Sequence, residues 1–409
     1  MNFKDKYIDL LLEKGVVKGQ NKLFISYNSI EKKFIKRLIV RARKMGFSNI
    51  ITSEENYSKT RKLLYKLSED EIKVHPYFLR KEWDFAAKNH YAFLMTSSYP
   101  TDKFDDIAKS KLSAYQQAQS KTYQLYLQKV QDDLISWTIF PLANKDWANK
   151  IYGNKNSYKL LSKNINYSCM LNTKNPIESW NNYIKIENKK VNYLNNLEIK
   201  KLIIKNSLGT MLTMEFAKDS IFRCLQDDRF IENIPTYSIW TTPHKYKVDG
   251  IVYGSIPIYR NNRKISNYWF KFKNGKIMDC GANEGKDCLD FLIKQQGCNR
   301  LGELALIDYN SPVSKTKTIY FSNVLDENLS THLALGMAYK NTIKDFTKLT
   351  DEDFDKIGCN INCEDHIDFT IGTSDMQVIA KLQNGQEVEI YSNGKFNYHL
   401  INEQSPFAD

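Results

Sequence analysis

The sequence predicts an α/β protein, with an N-terminal α/β layered domain followed by a mixed, strand-rich α+β domain. In the first half, amphipathic helical patterns alternate with short apolar runs that are typical of strands. From about residue 208 the pattern changes to strands separated by turn signals. The chain has 409 residues, which is enough for each of two domains to bury its own core. We therefore divide it into residues 1–207 and 208–409.

The N-terminal domain is predicted to contain helices at residues 7–14, 31–45 and 113–130, and strands at 23–26, 50–52 and 92–96. Gly46 follows the second helix, and glycine commonly ends a helix in this way before the chain enters a strand. Residues 143–206 are polar and rich in lysine and asparagine, and we expect them to form a helical connecting region. The sequence has no Gly-x-Gly-x-x-Gly or phosphate-loop motif, so nothing in it predicts nucleotide binding.

The C-terminal domain is predicted to be built mainly from strands, at residues 210–216, 238–240, 250–258, 268–273, 304–307, 318–321 and 367–371. Two Asn-Gly pairs, Asn274-Gly275 and Asn393-Gly394, lie between apolar runs. Asn-Gly is the strongest short signal for a tight β-hairpin, because both residues tolerate a positive φ. We therefore expect a hairpin at each pair.

The net charge of +12 raises the question of nucleic-acid binding. Lysine-rich stretches such as residues 31–37 also carry apolar residues at helical spacing, which is typical of an amphipathic helix with a solvated basic face. The sequence has no arginine-rich tract, zinc-finger spacing or RNA-binding aromatic motif. We therefore expect no nucleic-acid partner.

The sequence also predicts a cytoplasmic protein that does not enter membranes. No apolar run approaches the roughly 18 residues of a membrane span, and residues 1–6 lack the basic-then-apolar order of a signal peptide. The seven cysteines show no Cys-x-x-Cys spacing. Cys359 and Cys363 have no second pair to complete a zinc site, so we expect free thiols.

His366 and Asp368 are the most informative residues of the chain, because they lie two apart in an apolar, β-branched run. Positions i and i+2 of a strand leave on the same face, so both side chains would point at one spot. An imidazole with a carboxylate is a metal-ligand combination. By itself such a pair is more often a hydrogen-bonded pair than a metal site.

Three further residues upstream are candidates for the same site. Residues 326–339 begin with capping residues and then predict a short helix or turn that carries His332 and Tyr339, two turns apart on one face. Glu303 stands at the head of an apolar run long enough for a buried strand, and a buried carboxylate needs a partner. The alternatives are a surface acid for Glu303, a core histidine for His332 and simple packing for Tyr339.

A series of short motifs in the C-terminal half closely resembles the dinuclear metallo-aminopeptidases called aminopeptidase T, aminopeptidase S and PepS. The motifs occur in the family's order and approximate spacing, at residues 234–236, 242–244, 250–254, 301–306, 309–313, 326–328, 332–336 and 366–369. Fainter matches at residues 136–138 and 147–148 extend the resemblance to essentially the whole chain. The resemblance implies peptide substrates, a homodimer, and a C-terminal domain that is the metal-binding catalytic domain.

The resemblance also implies two divalent ions per chain, zinc or cobalt, with manganese as a further candidate. The family binds them through two glutamates, two histidines, a tyrosine and an aspartate. Carried over motif by motif, five of these ligands are Glu303, His332, Tyr339, His366 and Asp368. Glu303 is also the expected catalytic residue, which would bridge the metal pair and manage the proton of the attacking water.

The sixth ligand is absent, because Ser238 occupies the position where the family has its first glutamate. A serine hydroxyl is neutral, whereas a carboxylate offsets the charge of the ions. Neither Glu232 nor Tyr237 is a convincing replacement, and Asp249 would need a hairpin to approach. Three interpretations follow. The first is an active aminopeptidase that holds one or two ions, and the second is a catalytically impaired or inactive homologue with a peptide-binding or structural function. The third is a hydrolase of another amide or a basic binding protein.

Overall fold

The computed structural model describes residues 3–97, 104, 106–226, 229–260, 263–363 and 365–407. Contacts divide the chain into two compact units, Met1–Trp180 with Gln226–Thr236, and Asn181–Leu225 with Tyr237–Asp409. Among the described residues, no helix is both long enough and apolar enough to span a membrane.

The first unit contains four strands and eight complete helices within the described residues. The strands are β1 (Lys22–Asn28), β2 (Asn49–Glu55), β3 (Ala92–Ser97) and β4 (Trp137–Pro141). The helices are α1 (Phe3–Lys14), α2 (Lys32–Lys44), α3 (Tyr57–Lys66), α4 (Glu69–Val74), α5 (Lys81–Lys88), α6 (Lys109–Gln131), α7 (Lys145–Tyr152) and α8 (Ser157–Ser168).

The strands of the first unit form a parallel sheet in the order β2-β1-β3-β4. Helices connect them, as parallel strands require, and the core lies between sheet and helices. On one face Phe24 and Phe93 pack against Trp83 of α5 and Tyr126 of α6. The alternation of helices and strands predicted from the sequence is confirmed.

The second unit is richer in strands. They are β5 (Ile199–Lys205), β6 (Met211–Phe216), β7 (Ile239–Thr241), β8 (Pro243–Tyr253), β9 (Ile258–Arg260), β10 (Arg263–Ile265), β11 (Trp269–Lys273), β12 (Lys276–Gly281), β13 (Leu301–Leu306), β14 (His332–Gly336), β15 (His366–Thr370), β16 (Gln377–Leu382), β17 (Glu387–Ser392) and β18 (Lys395–Phe396). Its helices are α10 (Lys286–Lys294), α11 (Pro312–Lys315), α12 (Asn323–Asp326) and α13 (Asp351–Lys356). Helix α9 (Pro176–Asn196) leads into it from the first unit.

Two antiparallel sheets share the core of the second unit. The larger runs β12-β11-β8-β6-β5-β16-β17-β18 and the smaller runs β15-β14-β13-β7. Leu304, Leu333 and Phe369 from the smaller sheet lie in one hydrophobic cluster with Val248 and Phe270 from the larger one. Successive side chains alternate between the faces of a strand, so the neighbours of these core residues point away from the core.

The two predicted hairpins are present. Asn274 and Gly275 join β11 to β12 with φ of 50° and 71°, and Asn393 and Gly394 join β17 to β18 with φ of 51° and 70°. The predicted strand at 318–321 is absent from the described structure. Lys317 and Phe321 both have a positive φ, which an extended strand does not accommodate.

The division into units differs from the boundary we predicted after residue 207. Strand β5 pairs with β6 and β16, so residues 199–205 belong to the second unit and are not part of a helical connection. Residues 226–236 return to the first unit, where the N–H of Ile231 donates to Lys14 O at 2.7 Å and the N–H of Ile234 donates to Ile139 O at 3.0 Å. Hydrogen bonds between segments that are distant in the sequence therefore decide which unit residues 199–205 and 226–236 belong to.

Candidate metal centre

The candidate residues lie on three adjacent strands of the smaller sheet. Glu303 is on β13, His332 on β14, and His366 and Asp368 on β15. Core residues such as Leu304, Leu333 and Phe369 alternate with them, so the candidates share the face that points away from the core. The sequence predicted this shared face for His366 and Asp368, which are two residues apart.

Strand register places the two carboxylates on one row. Glu303 pairs with Ala334, and Ala334 pairs on its other side with Asp368. The small side chain of Ala334 leaves room for the longer acidic side chains to approach one another above it. A second row contains Ala305, His332 and Thr370, which sets His332 next to the carboxylate row.

His332 lies on a strand, so the helix or turn that we predicted for it is wrong. Strand β14 is the buried inner strand between β13 and β15, and pairing on both sides outweighs the helical propensity of its leucine and alanine residues. His332 is 4% exposed, and its buried Nδ1 has no hydrogen-bond partner among the described residues. A buried polar atom without a partner is costly, and a metal ion would satisfy it.

The ligand atoms converge. Glu303, His332 and Asp368 each offer one atom, and these atoms all lie within 4.8 Å of one another. Nε2 of His366 is 3.0 Å from Glu303 Oε2 and 3.0 Å from Asp368 Oδ1. Carboxylates and imidazoles are suitable ligands for zinc, cobalt and manganese. Nδ1 of His332 forms no hydrogen bond with any described residue, so no protein group competes with an ion for it. The residues present therefore fit a divalent ion.

His366 is oriented by contacts that our sequence analysis missed. Its Nδ1 is 2.7 Å from the backbone oxygen of Met337, and its backbone N–H donates to Asp365 Oδ1 at 2.9 Å. Asp365 in turn forms an ion pair with Arg260. A carbonyl that accepts from Nδ1 directs Nε2 toward the carboxylates, as is usual for metal-binding histidines. In the sequence, these contacts were indicated only by Asp365, the acidic residue immediately before His366.

The two carboxylates strongly affect the protonation of His366. Burial alone would lower its pKa, but the adjacent Asp368 and Glu303 outweigh burial and hold the pKa well above its usual value. For Asp368, burial acts to raise the pKa, and the nearby imidazoles, His366 above all, bring it below its usual value. Without metal, His366 is therefore protonated beside Asp368.

Tyr339 follows β14 and lies close to His366. It precedes a short 3-10 turn at Lys340–Thr342 and does not share a helical face with His332. Its ring centroid lies 5.0 Å from that of His366. The structure thus brings the ring of Tyr339 next to His366, although the two-turn helical spacing predicted for Tyr339 is wrong.

Ser238 immediately precedes β7, the neighbour of β13. Trp240 pairs with Ala305, and Ala305 pairs with His332, so Trp240 is on the row of His332. Ser238 is two residues before Trp240, and continuing the extended chain puts both on the face that carries Glu303. A glutamate at residue 238 would therefore extend from the same face as the predicted ligands.

Comparisons with known proteins agree with this geometry. The family described as thermophilic metalloprotease (M29) matches residues 3–396. The chain is 30% identical to Aminopeptidase AmpS of Bacillus subtilis (strain 168) over 404 residues, which cover 96% of this chain and 98% of that protein. It is 27% identical to Aminopeptidase PepS of Streptococcus thermophilus, with 96% and 98% covered.

A solved structure shares the fold. Wild-type AmpT from Thermus thermophilus superposes with a TM-score of 0.87 at 24% sequence identity, covering 97% of this chain and 99% of that one. The likeness extends over both units and supports the predicted α/β fold class.

Proposed function

This chain belongs to the M29 family of metalloproteases, and from that premise we propose that it is a metal-dependent aminopeptidase, a hydrolase that removes N-terminal residues from peptides. Relatives named as aminopeptidases match 96% of its length. The family match agrees with the resemblance that the sequence motifs indicated. The observation that carries the proposal is the convergence of Glu303, His332 and Asp368 on one point beside His366.

The proposed metal ligands are Glu303, His332, Tyr339, His366 and Asp368. A divalent ion held by them would supply a Lewis acid, able to polarise the peptide carbonyl and lower the pKa of water. Zinc, cobalt and manganese all suit this mixture of nitrogen and oxygen ligands. Because Ser238 contributes no charge, we expect fewer than two tightly bound ions per chain.

Glu303 is the proposed catalytic residue. Glu303 is 7% exposed, and its Oε2 lies 3.0 Å from Nε2 of His366. During hydrolysis the water oxygen bonds to the carbonyl carbon, while Glu303 accepts the water proton. Glu303 then returns the proton to the nitrogen of the leaving peptide as the C–N bond breaks. His366, which also contacts Asp368, positions Glu303 through the 3.0 Å contact between its Nε2 and Glu303 Oε2.

The resemblance also implies a homodimer, and the sequence predicts a cytoplasmic location; both remain predictions. Analytical ultracentrifugation of the purified protein measures the first, and fractionation of cells measures the second. The sequence gives no reason to expect a nucleic-acid partner.

Metal content and activity together test the proposed function. We expect chelated protein to lose hydrolysis of leucine p-nitroanilide and to regain it with zinc, cobalt or manganese, while N-acetyl-leucine p-nitroanilide is not cleaved by either form. His366→Ala should remove bound metal, because it deletes a direct ligand. His399→Ala is the matched control, since His399 is exposed and lies outside the cluster.

Two results would contradict the proposal. Full metal content in His366→Ala would show that the His-x-Asp motif is not part of the site. Metal binding without cleavage of any aminoacyl substrate would favour the inactive homologue that the Ser238 substitution suggests.

A further inference from the structure

A groove in the first unit is lined by none of the candidate metal ligands. It has a volume of about 520 Å³ and is bounded by α1, by residues 30–34 at the start of α2, by residues 141–144 at the end of β4, and by α8. We call it the three-helix groove. All of its lining belongs to the first unit. Its volume lies within the range of clefts in which proteins bind other molecules.

Large apolar side chains remain exposed along the three-helix groove. Phe3 of α1 is 50% exposed, and Ile30 and Tyr158 are each 46% exposed. All three line the groove together with the partly buried Phe34. Single exposed apolar residues are common on protein surfaces, but several that line one concave surface indicate an interaction site.

Two polar side chains of α8 also line the groove. Ser162 and Asn166 are four residues apart, which is about one helical turn, so they lie on the same face of α8. Both are partly buried, and their side chains form no hydrogen bond with any described residue. A hydroxyl and an amide can bond to the polar groups of a molecule that enters the groove.

The helices that wall the groove differ in charge. Helices α2 and α8 contain no aspartate or glutamate, whereas α1 contains Asp5, Asp9 and Glu13. Asp5 and Asp9 form ion pairs with Arg37 and Arg41 of α2. These two acids of α1 are therefore already engaged and leave the other cations of α2 unbalanced.

Four lysines at or beside the groove have no such partner. Lys33 lines the groove, and Lys36 lies three residues further along α2. Lys159 and Lys163 each lie three residues before one of the polar lining residues of α8, and positions three apart are neighbours on a helix surface. All four lysines are exposed and form no ion pair with any described residue. Positive charge therefore borders the apolar lining on two sides.

Glu31 is the only acidic residue among the described lining residues. It is 6% exposed, and its Oε2 accepts the backbone N–H of Asn28 at 3.0 Å as part of the cap of the turn at Ser29–Glu31. Because Glu31 is buried and engaged in this cap, it does not neutralise the exposed lysines.

We propose that the three-helix groove binds an acidic, amphipathic segment of a partner protein. The apolar side chains of that segment pack against Phe3, Ile30 and Tyr158, since burial of such surface is favourable. Its aspartate and glutamate side chains lie against the exposed lysines of α2 and α8. An amphipathic helix that lays its apolar face in a groove is a common mode of peptide recognition, and complementary charges at the rim set its orientation. This inference does not depend on the proposed function.

The concave shape favours a protein segment over a lipid surface. Residues 141–144 of the lining are buried or partly buried, so a flat bilayer would contact the exposed rim and not this part of the groove. An acyl chain also offers no group that bonds to Ser162 or Asn166, and covering polar groups without a partner costs free energy. The backbone and side chains of a peptide supply such partners.

Calorimetric titration of the full-length protein with synthetic peptides tests the proposal. The probes are a set of N-acetylated helical peptides, about 15 residues long, with leucine and phenylalanine at varied spacings on one face and glutamate on the other. Acetylation leaves no free N-terminus for an aminopeptidase to remove. The reference peptides have lysine in place of glutamate. We expect at least one acidic peptide to bind about tenfold or more tightly than its basic counterpart, with a difference that shrinks as salt is added.

Two variants locate the binding. Phe3→Ala removes apolar surface and Lys33→Glu reverses a charge, and each should weaken binding of the acidic peptide by about fivefold or more. Phe291→Ala changes another phenylalanine, which is 62% exposed on α10, and Lys44→Glu makes the same charge change at an exposed position at the far end of α2. Both controls should bind as wild type does. Melting temperatures show whether each variant is folded.

Several results would overturn the proposal. They are the absence of binding by every acidic peptide, equal affinity for acidic and basic peptides, or equal losses in the groove variants and their controls. Sedimentation velocity should show the same self-association in wild type and Lys33→Glu, and a loss in the variant would assign the groove to a second copy of this chain. Binding to phosphatidylglycerol vesicles or to single-stranded DNA that both groove variants abolish would assign it to a membrane or a nucleic acid instead.

Discussion

The backbone N–H of Tyr237 donates a hydrogen bond of 2.7 Å to Oδ1 of Asn328. Asn328 is 1% exposed, and its Nδ2 donates to Val324 O at 2.9 Å. The bond therefore joins the residue before Ser238 to the segment that leads into His332. This bond fixes the backbone immediately before position 238.

We predict that Ser238→Glu binds a second divalent ion more tightly than wild type, by about tenfold or more, because affinity rises with the number of charged oxygen ligands. Without metal, the added carboxylate repels Glu303 and Asp368, so the melting temperature of the chelated protein should fall and recover on adding zinc. Calorimetric titration and elemental analysis measure the number of ions. Ser238→Gln has the same size without the charge, and equal behaviour of the two variants would rule out this position as a ligand site.

Glu303→Gln should reduce turnover of leucine p-nitroanilide by about 100-fold or more, because the amide cannot take the proton of the attacking water. In the metal-free protein the same change should lower the pKa of His366, which then has one adjacent carboxylate instead of two. Proton NMR of the imidazole follows that titration. Turnover within twofold of wild type would restrict Glu303 to a structural function.

Metal affinity should rise with pH through the neutral range. The pKa of His366 lies well above its usual value, so metal-free protein carries a proton there that an incoming ion has to displace. One displaced proton makes the apparent affinity change about tenfold per pH unit at pH values below that pKa. Zinc titrations at pH 6, 7 and 8, in buffers with different ionisation enthalpies, count the protons released. A zinc affinity that does not change with pH would show that metal binding does not displace a proton from His366.

A buried charge cluster that contains none of the candidate ligands predicts a separate pH effect on stability. Nζ of Lys190 in α9 lies 2.8 Å from Glu187 Oε1 and 3.3 Å from Asp308 Oδ2, and all three side chains are at most 2% exposed. Burial raises the pKa of Glu187 to about 7, although Lys190 opposes the shift. The folded protein therefore holds a proton on Glu187 that the unfolded chain has already released at pH 6.

The stabilisation from this proton is complete below about pH 4.5 and is lost as pH rises through 7. Between the ordinary value of 4.5 and about 7, the loss corresponds to about 3 kcal/mol. Glu187→Gln cannot release a proton, so the free energy of unfolding of the variant relative to wild type should increase from pH 5 to pH 8. Urea unfolding across that range measures the difference, and a constant difference would contradict the assignment.

Local patterns predicted those features that depend on neighbouring residues. Alternation along a strand placed His366 and Asp368 on one face, and Asn274-Gly275 marked a hairpin because both residues adopt a positive φ. The family motifs identified Glu303, His332 and Tyr339 without any knowledge of how the chain folds. They also identified Ser238 as a departure from the family pattern.

Residue types and short spacings were enough to predict the fold class, the family and the set of candidate ligands. Strand pairing was needed to show that His332 lies on a strand and that Ala334 lies between Glu303 and Asp368. These relationships join segments tens of residues apart. Strand register is set by pairing and burial across the whole sheet, and no local pattern of residues encodes it.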